Sequence, residues 1–244
     1  PPRQSPTHFL CIPLVTPSSR PQLARSISAF RSDVCGPLGF GIPEGAVRPI
    51  GTLHLTLGVF SFGKETEGEG SGKKDTEGGE DKGLDRAVEL LGGLKLKEML
   101  GEVKEPEGGG GRLKVTLKGL RSMQADKEKA TVLYAPPEDP LGKLQQFCEG
   151  VKKVFVEDGV MVEDGRLLLL HATVVNTVYV KGRRGRRGER MTVDAREVIE
   201  RYEDEVWMED VEVEGVQICK MGAKKRIVDG EEDEAYEVEA EVRF

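Results

Sequence analysis

The chain of 244 residues has few of the side chains on which metal and disulfide sites depend. Its four cysteines lie far apart and form no C-x-x-C pair, a spacing that argues against a zinc site and against a disulfide framework. Only three histidines are present. We therefore expect reduced thiols, a nuclear or cytoplasmic location, and neither a metal nor another cofactor.

Long apolar runs and an excess of positive charge are also missing. No stretch approaches the length needed to cross a bilayer, and no signal-peptide pattern is present, so we expect no membrane partner. Because the net charge is −7, any anionic ligand has to be held by a local positive patch. The glycines at 108–111 are not followed by Gly-Lys-Ser/Thr, which argues against a nucleotide-phosphate loop.

Two of the three histidines lie in similar apolar stretches, at residues 52–57 (TLHLTL) and 170–175 (LHATVV). Each stretch reads His-x-Thr. Side chains two apart in a β-strand point to the same face, so each histidine is expected to lie beside its own threonine. One such motif has little meaning, since a half-buried strand histidine explains it equally well. Two copies that hold two of three histidines favour a shared site.

Hydrophobic periodicity predicts an α+β chain of one domain, residues 1–244, with mostly antiparallel strands. One His-x-Thr strand in each half, with flanking helices, predicts two similar lobes around a central cleft. Strands 113–117 and 130–135 are expected to pair with each other, and a bulge near Gly215 is expected to shift one late strand. The predicted strands are 7–15, 52–57, 113–117, 130–135, 167–180, 211–218 and 236–244, and the predicted helices are 23–34, 84–91, 141–155 and 194–202.

Residues 63–83 contain glycine, charged residues, serine and threonine but no apolar side chain. Such a segment cannot bury enough surface to offset the entropy of ordering. We expect a disordered surface insert here.

Two facing His/Thr pairs have a defined chemistry. Imidazoles on opposite sides of a phosphodiester can act as base and acid in an in-line displacement, each contributing roughly 10²- to 10⁴-fold in rate. The threonine hydroxyls can donate to the non-bridging oxygens. No metal is needed, and no carboxylate lies at helical or strand spacing from either histidine.

The flanking residues narrow this interpretation. The segments 7–10 (THFL), 53–59 (LHLTLGV), 170–177 (LHATVVNT), 194–196 (DAR) and 216–221 (VQICKM) resemble the 2H phosphoesterase superfamily. They are most similar to the branch of A-kinase-anchoring-protein phosphoesterase-like domains and the phosphoesterase subunit of the activating signal cointegrator complex. The resemblance runs from about residue 7 to the end of the chain.

The resemblance implies roles for four residues. His54 and His171 would be the catalytic acid/base pair, and Thr56 and Thr173 would bind the phosphate oxygens. The insert and an arginine-rich loop depart from the family, and the upstream RNA-binding KH module of the cointegrator subunit is missing. Because the chain begins with proline rather than methionine, we expect the natural protein to extend upstream.

The arginine-rich loop at 181–190 has two interpretations. Arg183 and Arg184, with Arg186 and Arg187, could bind an RNA backbone as part of the substrate site. A solvated loop or a localisation signal is slightly favoured. Tyr134 and Tyr179 could stack on a base, but are at least as typical of a core.

The sequence therefore predicts a metal-independent 2H-type phosphodiesterase, hydrolytic or cyclising. Its expected substrates are RNA ends, 2′,3′-cyclic phosphates or 2′,5′-linked oligonucleotides. The alternative is a non-catalytic RNA- or protein-binding subunit of a nuclear transcription-coactivator or repair complex, and a ligase-like activity is more distant. The expected partners are an RNA or oligonucleotide substrate and a helicase or coactivator complex, with the isolated domain a monomer.

Overall fold

The fold combines short antiparallel sheets with helices that pack around one main hydrophobic core. The computed structural model describes residues 5–62, 82–101, 112–163, 165–180 and 191–244. Within these ranges, no helix is long and apolar enough to cross a membrane. The predicted α+β class is confirmed.

The element bounds are as follows. The strands are β1 (His8–Pro13), β2 (His54–Phe60), β3 (Lys114–Lys118), β4 (Arg121–Ser122), β5 (Val132–Ala135), β6 (Pro137–Glu138), β7 (Ala172–Asn176), β8 (Val206–Glu212), β9 (Gly215–Lys220), β10 (Lys224–Val228), β11 (Glu231–Ala235) and β12 (Val238–Arg243). The helices are α1 (Arg20–Cys35), α2 (Lys82–Gly92), α3 (Leu96–Gly101), α4 (Lys143–Asp158) and α5 (Arg196–Arg201).

The two His-x-Thr segments belong to different sheets. β2 is an edge strand of the four-stranded sheet β12-β9-β1-β2, and β7 is an edge strand of the sheet β4-β5-β7. A β-bridge between Val47 and Val175 and a hydrogen bond from the Arg48 amide to the Val174 carbonyl (2.8 Å) join β7 to the segment before β2. The segment that leads into the first motif thus lies directly against the second.

The core takes side chains from the two sheets that contain β2 and β7, from the β6-β3-β8 sheet, and from helices that include α1 and α4. Leu55 and Leu57 of β2 are buried on one face of the strand, as its alternation requires. The buried face of α1 follows helical spacing, and its Phe30 packs edge-on against Trp207 of β8, with ring centroids 5.2 Å apart. The Trp207 indole donates a hydrogen bond to the Gly119 carbonyl, so its one polar atom is satisfied in the core.

Two predicted strand arrangements are wrong. β3 pairs with β6 and β8, whereas β5 pairs with β4 and β7, so the two strands expected to form a pair lie in different sheets. The expected bulge near Gly215 is a break between β8 and β9, which also belong to different sheets. In the sequence, a bulge within one strand and a break between two strands both appear as a shift in the alternation of apolar residues.

Several boundaries also differ from the prediction. The strand of the second motif is shorter than the predicted range of 167–180. β7 begins only after His171, and a 3₁₀ turn at Thr177–Tyr179 follows the strand. Residues 63–81 of the predicted insert lie outside the described residues, whereas residues 82 and 83 already belong to α2. Helix α3 and the β10–β11 hairpin were not predicted.

The unpredicted hairpin is anchored by one buried carboxylate, Asp233. It accepts hydrogen bonds from the Arg20 guanidinium (2.6 Å), the Gly51 amide (2.9 Å) and the Glu234 amide (2.8 Å). Burial by itself would raise the Asp233 pKa, but these hydrogen bonds and the Arg20 charge together lower it. A Cβ atom on Gly51 would meet the Glu234 carbonyl oxygen at 2.3 Å, so only glycine allows this approach.

Replacing Asp233 with Asn should lower the free energy of unfolding at pH 7 by about 1 to 3 kcal/mol, as measured by urea denaturation. The amide keeps the shape but cannot compensate Arg20, whose side chain is 24% exposed and so retains some hydration. Asp229→Asn is the matched control, because this exposed residue lies in the hairpin turn at positive φ, which asparagine also accepts. Equal stability of both variants would contradict the anchoring role.

Candidate active site

His54 and Thr56 lie on the face of β2 that points away from the main core. Their neighbours Leu55 and Leu57 occupy the buried face, whereas His54 and Thr56 are half-buried. This face carries a small separate apolar cluster of Phe9, Cys11 and Cys219, with Tyr236 packed against it. The first motif therefore packs against a small apolar cluster that is separate from the main core.

His171 and Thr173 repeat this arrangement at the start of β7. Ala172 and Val174 are buried, and the two motif side chains are half-buried on the opposite face. His171 lies just outside the strand, in the extended segment before it. Its ring contacts Tyr134 edge-on, at a centroid distance of 5.5 Å.

Both imidazoles are held by the same hydrogen bond. His54 Nδ1 lies 2.7 Å from the Thr52 carbonyl oxygen, and His171 Nδ1 lies 2.8 Å from the Leu169 carbonyl oxygen. A carbonyl oxygen only accepts, so Nδ1 must carry the proton in each ring. In the neutral imidazole this assignment leaves Nε2 as a free acceptor on both histidines.

The environment of His54 favours the neutral ring. The ring packs against Phe9 (4.7 Å between centroids) and Tyr236 (5.3 Å). The His54 pKa is lowered from 6.5 to about 4. Burial is the main cause, the hydrogen bond to the Thr52 carbonyl opposes it, and the charges of His171 and Arg48 add to the lowering. His171 thus lies near His54 in the fold, and β2 and β7 are themselves in contact.

The two threonine hydroxyls are available for a ligand. Across the described ranges, neither the Thr56 nor the Thr173 hydroxyl forms a hydrogen bond with another protein group. Each is a small donor beside a histidine. Together the two motifs offer two proton-transfer groups and two hydroxyl donors.

Arg48 lies beside the candidate site and was not singled out from the sequence. Its side chain is buried, its guanidinium lies over the Tyr179 ring at 3.6 Å, and its Nη2 lies 3.8 Å from a Glu234 carboxylate oxygen. The Tyr236 pKa rises to about 12, mainly through burial and next through Tyr179, while Arg48 opposes the rise. The sequence offered one clue to Arg48, since it lies six residues before His54.

The structure places the two tyrosines that could stack on a base, but it does not place the arginines of the basic loop. Tyr134 is buried beside His171, whereas Tyr179 is 45% exposed and carries the Arg48 guanidinium on its ring. Arg183 and Arg184 lie outside the described residues. The structure therefore assigns neither arginine a position relative to the two motifs.

The third histidine and the cysteines have no evident place in this chemistry. His8 is buried at the start of β1, with Nδ1 3.0 Å from the Thr7 hydroxyl. The Cys11 and Cys219 sulfurs lie 4.0 Å apart as free thiols, and their mutual hydrogen bond and burial raise the Cys11 pKa. Over the described part of the chain, no group of three His, Cys, Asp or Glu side chains could hold a metal ion.

Comparison with known sequences identifies similar proteins. The family model of the AKAP7 2'5' RNA ligase-like domain matches residues 6–244. An uncharacterized protein of Schizosaccharomyces pombe is 31% identical over 114 residues, which cover 46% of this chain and 50% of that protein. Activating signal cointegrator 1 complex subunit 1 of Mus musculus is 28% identical over 131 residues, which cover 53% of this chain and 31% of that subunit. The chain spans half or less of the length of both relatives.

Solved structures also resemble the chain over nearly its full length. Escherichia coli LigT complexed with 3'-AMP is 13% identical with a TM-score of 0.49, covering 98% of this chain and 97% of that one. A phosphoesterase structure is 14% identical with a TM-score of 0.48, covering 98% of both chains.

The burial of His54 predicts a pH-dependent stability. Above pH 6.5 both the folded and unfolded states hold a neutral imidazole, whereas between pH 6.5 and about 4 only the unfolded state is protonated. The free energy of unfolding should therefore fall with decreasing pH by up to about 1.4 kcal/mol per pH unit from this group.

His54→Asn can still donate to the Thr52 carbonyl but does not titrate. The stability difference, wild type minus variant, should decrease between pH 7.5 and pH 5 in urea unfolding curves. A difference that stays constant over this range would contradict the lowered pKa of His54.

Proposed function

The chain belongs to the AKAP7 2'5' RNA ligase-like domain family, within the 2H phosphoesterase superfamily, and on this premise we propose that it is a metal-independent phosphoesterase of RNA. Its substrates are RNA ends, 2′,3′-cyclic phosphates or 2′,5′-linked oligonucleotides. The observation that carries the proposal is the pair of imidazoles whose Nδ1 atoms donate to backbone carbonyls and whose Nε2 atoms are free.

In the proposed reaction the phosphate lies between His54 and His171. The Nε2 of one imidazole takes a proton from water or a ribose hydroxyl as that oxygen attacks phosphorus. The other imidazole, protonated, donates its proton to the leaving oxygen as the P–O bond breaks. Thr56 and Thr173 donate hydrogen bonds to the non-bridging oxygens, which carry the negative charge in the transition state.

The 2′,5′ linkage is favoured by the description of the family, which names 2'5' RNA. A ligase-like reaction is the same displacement in the reverse direction, so it needs the same groups. Mapping the product ends of a panel of 2′,5′-, 3′,5′- and cyclic-phosphate-ended oligonucleotides identifies the linkage and the direction.

A second candidate function is a subunit that binds RNA or protein without turnover in the nucleus or cytoplasm. The similarity to a segment of a signal cointegrator complex subunit favours it. This candidate predicts that RNA binding survives substitution of both motif histidines and that no product forms from any member of the panel.

We expect His54→Ala and His171→Ala each to reduce kcat/KM by roughly 10²- to 10⁴-fold on the substrates that the panel identifies, because each removes a proton-transfer group. His8→Asn is the control, as it replaces the histidine outside the site. Circular dichroism melting reports whether each variant folds. Unchanged turnover in both alanine variants would exclude two-histidine catalysis.

The threonine hydroxyls have a separate test. Thr56→Val and Thr173→Val keep the size of the side chain but remove the donor, and each should lower kcat/KM by about 10- to 100-fold. Thr56→Ser and Thr173→Ser keep the hydroxyl and should retain most of the activity. A valine variant as active as its serine counterpart would exclude that hydroxyl as a phosphate ligand.

A further inference from the structure

Arg48 occupies the junction between the two motif strands. Its neighbour Val47 forms a β-bridge with Val175, and its own amide donates to the Val174 carbonyl, the residue after Thr173. A 3₁₀ turn at Ile50–Thr52 then leads into β2. The Arg48 side chain therefore starts beside the second motif, on the segment that ends at the first.

The guanidinium of Arg48 is buried without full compensation. The residue is 4% exposed, and its Nη2 has no hydrogen-bond partner among the described residues. The nearest recorded carboxylate oxygen, from Glu234, is 3.8 Å from Nη2, which is beyond hydrogen-bond distance. A buried guanidinium has five N–H donors, and an unsatisfied one is costly, so Nη2 lacks an acceptor that a bound ligand could supply.

A purely structural role accounts for only part of this environment. The stack on the Tyr179 ring at 3.6 Å and the loose ion pair with Glu234 would hold the side chain in place. Neither contact provides an acceptor for Nη2. The same contacts leave the guanidinium oriented, as a preformed anion site requires.

The Arg48 guanidinium lies close to the first motif of the candidate active site. Its charge acts on the His54 ring and on the Tyr236 hydroxyl, and the Tyr236 ring itself packs against His54. An anion bound by Nη2 would therefore lie next to the imidazole. The four motif residues include no permanent charge, and the chain has a net charge of −7, so a phosphodiester needs a local cation.

We propose that Arg48 is a further phosphate-binding residue, which donates from Nη2 to an anionic non-bridging oxygen of the phosphate between the two histidines. This inference rests on the proposed function for the position of that phosphate. A site that contains Arg48 would select anionic phosphate esters. Because arginine stays protonated at all relevant pH values, it would also stabilise the negative charge of the transition state.

The test compares adenosine 2′-monophosphate with adenosine, which lacks the phosphate, by isothermal titration calorimetry. The wild type should prefer the nucleotide, and Arg48→Gln should lose about 10- to 100-fold of that preference, as expected for a charge-assisted hydrogen bond, with adenosine binding unchanged. Arg48→Lys keeps the charge without the planar fork and should lose less. No preference in the wild type would overturn the inference.

Glu234→Gln separates phosphate binding from a structural ion pair. It removes the carboxylate that faces Arg48, so a structural role predicts the same loss as in Arg48→Gln. Phosphate binding by Arg48 instead predicts unchanged or tighter binding of the nucleotide, because a competing anion is gone. Should Arg48→Gln fail to fold in thermal melting, Arg48→Lys and Glu234→Gln decide the question.

Kinetics distinguish failure of this inference from failure of the proposed function. If the wild type turns over oligonucleotides and Arg48→Gln has the same kcat/KM, Arg48 does not bind the phosphate, but the proposed phosphoesterase activity is supported. If the wild type turns over no oligonucleotide, and Arg48→Gln nevertheless loses the preference for the nucleotide, phosphate binding by Arg48 is supported and the proposed catalysis fails.

Discussion

The candidate site depends on one hydrogen bond that occurs twice, from a histidine Nδ1 to the carbonyl oxygen two residues before it. This bond determines the tautomer, orients the ring and leaves Nε2 free. It requires an extended backbone at the entrance of a strand, so the ring position follows from the path of the main chain. Both motifs satisfy the requirement, although they belong to different sheets.

The surroundings of the two rings differ, and that difference arises from elements distant in sequence. His54 lies against Phe9 of β1 and Tyr236 after β11, with the Arg48 charge nearby, whereas the ring contact recorded for His171 is Tyr134. Asp233 connects the hairpin to the Gly51 amide, next to the residue whose carbonyl holds His54. The hairpin and the His54 imidazole are thus bonded to adjacent residues of one turn.

The elements that were predicted well have a strong apolar period. Helix α1 with Leu23, Ile27, Phe30 and Val34, and helix α4, were recognised because their buried faces repeat at helical spacing. The β10–β11 hairpin was missed because its strands, KKRIV and EEDEA, have almost no apolar alternation and are held by charged groups. Strand partners were mistaken where pairing is non-local, since periodicity carries no information on which strands become neighbours.

By itself the sequence determined the two His-x-Thr motifs, the α+β class and the absence of a strong zinc or nucleotide-loop pattern. These properties depend on residue type and short spacing, which the chain shows directly. Tertiary structure alone decided that the two motif strands contact each other, that the His54 ring packs against Tyr236, and that the buried Nη2 of Arg48 has no hydrogen-bond partner among the described residues. The physical reason is that burial and charge compensation are sums over neighbours in space, and those neighbours come from every part of the chain.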